Sequence, residues 1–407
     1  MKIYLVGGAV RDELLGRPIA ERDWVVVGAT PDDMIAAGYR PVGRDFPVFL
    51  HPETHEEYAL ARLERKTGPG YRGFVTEFSA DVTLEQDLMR RDLTINAMAK
   101  ASDGTIIDLF DGRQDLEQRV LRHVSDAFVE DPVRILRVAR FLARYAPLGF
   151  TVASETLQLM RQMVEAGEAD ALVPERIWRE LERALGEPQP RAAIEMLRDC
   201  GALRVILPEV DALFGVPQRP EWHPEVDTGE HIMLTLQVAA SRGCNTVVRF
   251  ALLLHDLGKA LTPRNLWPRH HGHETLGLSA IEALCARLHV PQDYRDLALL
   301  ASRFHTHVHR GLELRDTTLL ELIENCDGFR RPERFGDFLE VCECDARGRQ
   351  GHAETAYPQR ARIESAFAAA RLVSLDESER AGLIGAAIGE RLRRKRLAAI
   401  RAAVGDD

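Results

Sequence analysis

The feature that most constrains the fold is a change of hydrophobic period near residue 115. Before it, the apolar residues come in short runs (KIYLV, WVVV, FPVFL, YALA) broken by Gly, Pro and Asp. Such runs between turn formers read as strands, with a helix after the first. Beyond it the punctuation thins, and VRILRVARFLARY, PERIWRELERAL and RAAIEMLRDCGAL carry apolar residues at helical spacing. A chain of 407 residues, at roughly 150 per domain, predicts two or three domains. The Pro-rich, polar segment PQRPEWHPEVDTG, residues 217–229, is the best linker candidate, so a boundary is expected near 220.

No run approaches the ~18 consecutive apolar residues of a bilayer span, and MKIYLV meets Gly7-Gly8 before it can become a signal-peptide core. A soluble, cytoplasmic protein is expected. The six cysteines are scattered, their one close pair spaced C-x-C, which argues against a zinc ribbon or a disulfide framework. The net charge of −10 excludes indiscriminate coating of a polyanion, so any nucleic-acid contact must be local.

Three constellations carry chemistry. In the first, strand KIYLV runs into Gly7-Gly8 and a helical AVRDELLG. Glycines there let backbone N–H groups approach a phosphate closely, and Arg11 adds a fixed charge. In ERDWVVVG, Glu21 and Asp23 stand two apart at the edge of an apolar run, where a strand aims both to one side. Hard oxygen ligands so placed suit Mg²⁺ shared with substrate phosphates. Glu57 in EEYALAR is a candidate third carboxylate. ERKTGPGYRGF, with Arg65, Lys66 and Arg72, has the make-up of a basic loop near phosphate.

The second is an arginine face. In EDPVRILRVARFLARY, at about 100° per residue, Arg134, Arg137, Arg140 and Arg144 fall on one side of a helix. A solvated amphipathic helix is the ordinary reading of such a face; against it, the only nearby acids are Glu130 and Asp131, so the alternating i,i+4 Glu partners of exposed helices are missing. Asp131 and Arg134 are spaced to touch and could read a base edge. The third is a histidine cluster: ten of fourteen histidines lie between His223 and His309. His255-Asp256 ends the apolar VVRFALLLHDLGK, where an unpaired carboxylate would be costly and a metal would explain both residues.

GGAVRD, the acidic pair, RRDLTINAM and EDPVRILRVARF, in this order, resemble the class II tRNA nucleotidyltransferases, the CCA-adding enzymes, in their bacterial multifunctional form; the later H…HD…D order resembles the HD phosphohydrolases. The resemblance implies an α/β nucleotidyltransferase head with a polymerase-beta-like mixed sheet, then a mostly helical neck and body and a helical HD domain. The expected divisions are 1–115 for the head, 116–220 for the neck and body, 221–346 for the HD domain and 347–407 for a helical tail. It implies template-independent addition and repair of the tRNA 3′-terminal CCA from CTP and ATP. Glu21 and Asp23 would hold Mg²⁺; Gly8, Arg11 and Arg91 would meet the nucleotide, with Asp92 beside Arg91. Asp131 and Arg134 would be the template, and Arg137 and Arg140 would complete the pocket. His231, His255, Asp256 and Asp345 would hold a divalent metal, nickel among the candidates, for 2′,3′-cyclic phosphodiesterase, 2′-nucleotidase and phosphatase activity. His270, His271, His273 and His305 are further candidates. Two departures stand out: Glu21 where the family often has Asp, and Thr306 where an Asp follows the histidine. The partners implied are the tRNA 3′ end, ATP and CTP, with no membrane; monomer and homodimer both remain open. The alternatives are a bacterial poly(A) polymerase and a tRNA-binding protein whose hydrolase is the main activity. The former usually carries a strongly basic C-terminal extension and lacks a full HD motif.

Overall fold

The computed structural model describes residues 1–19, 21–42, 48–66 and 74–404. The loop containing Arg72, and the side chains of Arg65 and Lys66, lie outside that description. The chain divides into two compact units, Met1–Ile206 and Leu207–Asp407.

The first unit opens with a mixed sheet. Its strands are β1 (Lys2–Val6), β2 (Asp23–Val27), β3 (Arg40–Pro41), β4 (Val48–Leu50) and β5 (Glu57–Leu60), then, past a hairpin of β6 (Arg62–Lys66) and β7 (Phe74–Phe78), β8 (Met98–Lys100) and β9 (Ile106–Asp108). The order is β3-β4-β5-β2-β1-β8-β9, with β2 and β5 parallel and the other neighbours antiparallel. Val6, Val25, Ala97 and Ala99 are buried on one face, and Val26, Phe49, Tyr58 and Leu60 on the other. That two-sided burial is why the strands read as apolar runs. Helices α1 (Gly8–Leu14), α2 (Pro31–Ala36), α3 (Leu84–Met89) and α4 (Gly112–Gln118) decorate the sheet region. Helices α5 (Val133–Tyr145), α6 (Ser154–Glu165), α7 (Pro174–Gly186), α8 (Pro190–Asp199) and α9 (Ala202–Ile206) follow it.

The second unit is helical: α10 (Pro208–Asp211), α11 (Thr228–Ser241), α12 (Thr246–Leu254), α13 (Leu257–Leu261), α14 (His273–Arg287), α15 (Gln292–His309), α16 (Asp316–Asn325), α17 (Pro332–Arg347), α18 (Pro358–Arg371), α19 (Glu377–Arg380) and α20 (Ala386–Val404). Among the described residues no helix is long and apolar enough to cross a membrane.

The segment 217–229 is not a free linker. Pro217 bridges to Asp227, the Asp227 side chain caps α11 through Glu230 N, and Gln218 is 2% exposed. The division falls earlier, because Val210, Leu213 and Val216 are buried and the Thr228 hydroxyl donates to the Val216 carbonyl at 2.9 Å.

Candidate active sites

In the first unit, one cavity of about 1000 Å³ is lined by Gly8, Arg11, Glu21, Asp23, Glu57, Arg91, Asp92, Asp131, Arg134, Arg137 and Arg140. The β2–β5 register sets Asp23 opposite Glu57, so the parallel pair itself delivers a third carboxylate. Asp23 titrates above its ordinary value: burial raises it, Arg91 opposes, and the Glu21 charge adds to the rise. A carboxylate disfavoured by its own neighbour, in an oxygen-only donor set, fits a hard divalent cation. Gly7 has φ 69°, and a Cβ there would lie 2.9 Å from Arg91 Nη1. The glycine is needed both for the turn and for the approach of that guanidinium.

The cations around this cavity are mostly held by protein partners. Arg11 is 3% exposed; it donates to Asn96 Oδ1 and, at 3.0 Å, to Asp12, with its guanidinium over Phe141 and Tyr145. Arg91 reaches Asp87 at 3.2 Å. On α5, Arg137 donates to Asp92 at 2.7 Å and Arg140 to Glu180 at 2.7 Å, while Arg144 takes Glu187. Burial pushes the Asp92 carboxyl up, but Arg137, Asn96 and the Leu93 N–H hold it well below the usual range. Arg134 and Arg140 are each 6% exposed, whereas Arg137 and Arg144 are about one-third exposed, so the arginine face runs from the interior to the cavity wall. The expectation that Asp131 and Arg134 pair with each other needs correction. Asp131 accepts from both terminal nitrogens of Arg176, at 3.0 and 2.6 Å, and Arg134 donates to the Ala127 and Arg90 carbonyls. Arg176 and Glu180 both sit on α7, separated from α5 by more than a helix, and no local spacing announces them.

The second unit converges differently. The break between α12 and α13 puts His255 and Asp256 at facing helix ends, and both are buried. His231 Nε2 lies 3.0 Å from Asp345 Oδ1, and His255 Nε2 lies 3.3 Å from Asp256 and 3.6 Å from Asp345. The four predicted ligands therefore meet, from α11, the α12–α13 junction and α17. His273 and His305 join them, at 3.4 and 3.7 Å from Asp256 Oδ1. His270 does not: its ring nitrogens engage Thr262 and the Pro217 carbonyl, each at 2.7 Å, and His271 is exposed. Close packing of α13 on α14 depends on Gly258, where a Cβ would sit 1.9 Å from the His273 carbonyl oxygen.

Burial alone would depress His255, but Asp256 and Asp345 raise it to about 9. Burial drives His305 well below its ordinary value despite Asp256, so it is neutral. His255 Nε2 and Asp256 Oδ1 are buried without a hydrogen-bond partner. Orphaned ligand atoms facing one another, in several triads whose donor atoms lie within 4.8 Å, fit a divalent metal. Two further residues belong to the site. Lys259 Nζ is 2.7 Å from Asp256, and His309 Nε2 is 2.7 Å from Asp345 with its other nitrogen at the Tyr357 hydroxyl. Their i+3 and i+4 spacing from Asp256 and His305 was the available signal. Thr306 reaches Glu274 at 3.2 Å.

Three family models match in chain order: the Poly A polymerase head domain over residues 3–122, the probable RNA and SrmB-binding site of polymerase A over 149–214, and the HD domain over 228–329. Fold and sites thus define a nucleotidyltransferase head with a helical body and a C-terminal HD domain. The multifunctional CCA protein of Thioalkalivibrio sulfidiphilus is 60% identical over 401 residues, 98% of each chain, and that of Alkalilimnicola ehrlichii is 60% identical over 402 residues, covering 99% of this chain and 97% of the other. The chain belongs to the multifunctional CCA proteins. Among solved structures, a CCA-adding enzyme with ATP matches the whole chain and 86% of its own at TM-score 0.67 and 21% identity. The Thermotoga maritima CCA-adding enzyme complexed with tRNA matches at 0.62 and 20%, covering all of this chain and 88% of its own. At that identity the likeness is one of fold.

Proposed function

We propose that the first unit adds and repairs the 3′-terminal CCA of tRNA from CTP and ATP without a nucleic-acid template. The observation that carries this reading is the meeting of an acidic trio, a glycine turn and an arginine-lined wall in one nucleotide-sized cavity. The tRNA 3′ hydroxyl attacks the α-phosphorus and pyrophosphate leaves. Glu21 and Asp23, with Glu57 nearby, would hold magnesium, which when bound supplies activation of the hydroxyl and charge neutralisation at the leaving group. Gly8 lets the triphosphate approach the backbone, and Arg91 offers it a guanidinium. Arg11, locked by Asp12 and Asn96, fixes that wall. Arg137 holds Asp92, and Arg140 braces α5 against α7 through Glu180. Asp131 and Arg134 read the Watson–Crick edge of C or A. On this reading the incoming base replaces Arg176 as the partner of Asp131.

The second unit acts as a phosphohydrolase on 2′,3′-cyclic phosphates, 2′-nucleotides and phosphomonoesters. His231, His255, Asp256 and Asp345 would hold a divalent ion, nickel or magnesium, which when bound supplies a water acidic enough to act as hydroxide near neutral pH. Lys259 offers a cation to the substrate phosphate beside Asp256. His309 fixes the orientation of Asp345. A division into head, neck and body, HD domain and tail accompanies this reading, with the body–HD boundary at 206/207 in place of 220, as does a cytoplasmic location.

The test is incubation with tRNA ending at the discriminator base and with each triphosphate singly and together. Ordered incorporation of C, C and A that then stops supports the proposal. Unlimited A addition identifies a poly(A) polymerase, and binding without incorporation a tRNA-binding protein.

A further inference from the structure

The cavity of the second unit, about 680 Å³, extends well past the histidine cluster. Its lining includes Asp256, Lys259, His305 and Asp345, and also Gln218, Trp222 and Arg349. A metal and one phosphate would fill only part of a space that size, which falls in the range of small-molecule sites. Gln218 Nε2 and Arg349 Nε are buried and have no hydrogen-bond partner, although Gln218 is 2% exposed and holds Lys259 with its other terminal atom. Donors left unpaired in the wall of a cavity cost stability unless something accepts from them.

Trp222 is the other anomaly. It is 61% exposed, on a segment that is braced. Trp222 N donates to the Arg219 carbonyl at 3.0 Å, Val226 N to the His223 carbonyl at 2.9 Å, and Gln350 N to Glu225 at 3.1 Å. Its neighbour His223 packs edge-on against His231 with ring centroids 4.6 Å apart. A single exposed apolar side chain is ordinary on a protein surface. This one is an indole on a braced backbone segment, one residue from a side chain that touches a candidate metal-ligand histidine, at the lip of a cavity with unpaired donors. Arg219, Arg269 and Arg310 share that lining.

We infer that the lip of this cavity is a nucleobase subsite: the Trp222 indole stacks the base of a nucleoside phosphate whose phosphate lies toward Asp256 and Lys259, with Gln218 and Arg349 donating to its polar atoms. The inference rests on the phosphohydrolase reading and names the residues by which that site would favour a nucleoside phosphate over a phosphomonoester that has no base. Every base has a flat face, so stacking is tolerant of base identity.

The experiment is calorimetric titration of the full-length, magnesium-loaded protein with 2′-AMP and with β-glycerophosphate, a phosphomonoester without a base. The wild type should bind 2′-AMP more tightly. Trp222→Leu should weaken 2′-AMP binding by about tenfold, the low end of what one base stacked on an aromatic contributes, and leave β-glycerophosphate unchanged; Trp222→Phe should recover most of the loss. A short RNA ending in the same 2′-phosphate tells the source. If it is the tighter ligand and loses affinity in Trp222→Leu, an RNA 3′ end occupies the subsite; if 2′-AMP is tighter, a free nucleotide does. Equal weakening of both phosphates in Trp222→Leu, or of neither, overturns the subsite while leaving the phosphohydrolase reading intact. Wild-type protein that binds neither phosphate overturns both.

Discussion

The two candidate centres solve opposite electrostatic problems. In the head, charges are abundant but largely balanced: Arg11 with Asp12, Arg137 with Asp92, Arg140 with Glu180, Arg176 with Asp131. In the HD unit, the ligand atoms converge and two of them are orphaned, and all the described triads with donor atoms within 4.8 Å lie there. A balanced wall is indifferent until a ligand displaces a partner, which suits a site that must accept two different nucleotides in turn. A converged, unbalanced cluster is unfinished without its ion. On the proposed functions, the head suits exchange of nucleotides and the HD site retention of an ion.

Removing a ligand from each centre is the severest way to break the comparison. Asp23→Asn should abolish CCA incorporation and spare phosphatase turnover; Asp256→Ala should do the reverse. Outer-shell partners of a metal cost about 10–100-fold, so each ligand loss should exceed about 100-fold in its own assay. Radiolabelled CTP incorporation and phosphate release, run on the same preparations, read both. If either variant loses both activities, the centres are not independent. Next in size is His309→Ala, which strips Asp345 of its 2.7 Å contact. Hydrolysis should fall by about 10–100-fold with CCA addition unchanged, and a fall in metal affinity measured by competition with a chelating dye should accompany it. Retained affinity and rate would remove His309 from the site.

Proton linkage sharpens the contrast. In the metal-free protein Asp256 and Asp345 hold His255 up to about 9, against the burial that would lower it. Below that value His255 carries a proton, and a metal taking its Nε2 must expel it. Metal affinity of the HD site should rise about tenfold per pH unit between roughly 7 and 9 and level off above, one proton being released per ion. Calorimetry in two buffers of different ionisation enthalpy counts that proton. A pH-independent affinity would mean that His255 is already neutral.

Much of each site is legible along the chain, for different reasons. Asp23 announces itself at the start of the apolar β2, whereas Glu21 precedes the strand, so the two-residue period does not reach it and the shared cavity is what brings the pair together. His255-Asp256 is conspicuous because a carboxylate closing an apolar helix needs a partner. Periodicity could not supply the partners across the chain: Arg140 finds Glu180 and Asp131 finds Arg176 only once α5 and α7 pack. The Arg134 and Asp131 spacing suggested a mutual bond, but tertiary partners took both groups. Likewise, composition marks 217–229 as linker because it lacks periodic apolar residues. It says nothing of whether the polar side chains are occupied, and Glu225, Asp227 and the Oε1 of Gln218 all are.

The mildest prediction concerns Thr306, where the family resemblance leads one to expect Asp. An acid there would matter if it completed the ligand set, but the set is already supplied by His231, His255, Asp256, Asp345, His273 and His305, while Thr306 Oγ1 turns to Glu274 at 3.2 Å. Thr306→Ala forfeits one part-buried hydrogen bond to the Glu274 carboxylate, typically about 1.5–3 kcal/mol, but removes no candidate metal ligand, so phosphate release should stay within about threefold of wild type. Thr306→Asp adds a second carboxylate beside Glu274, and like charges at that range raise each other's pKa. The comparison that decides is the ratio of the two variants in one phosphatase assay. A gain of tenfold or more in Thr306→Asp would show that the cluster lacks a ligand.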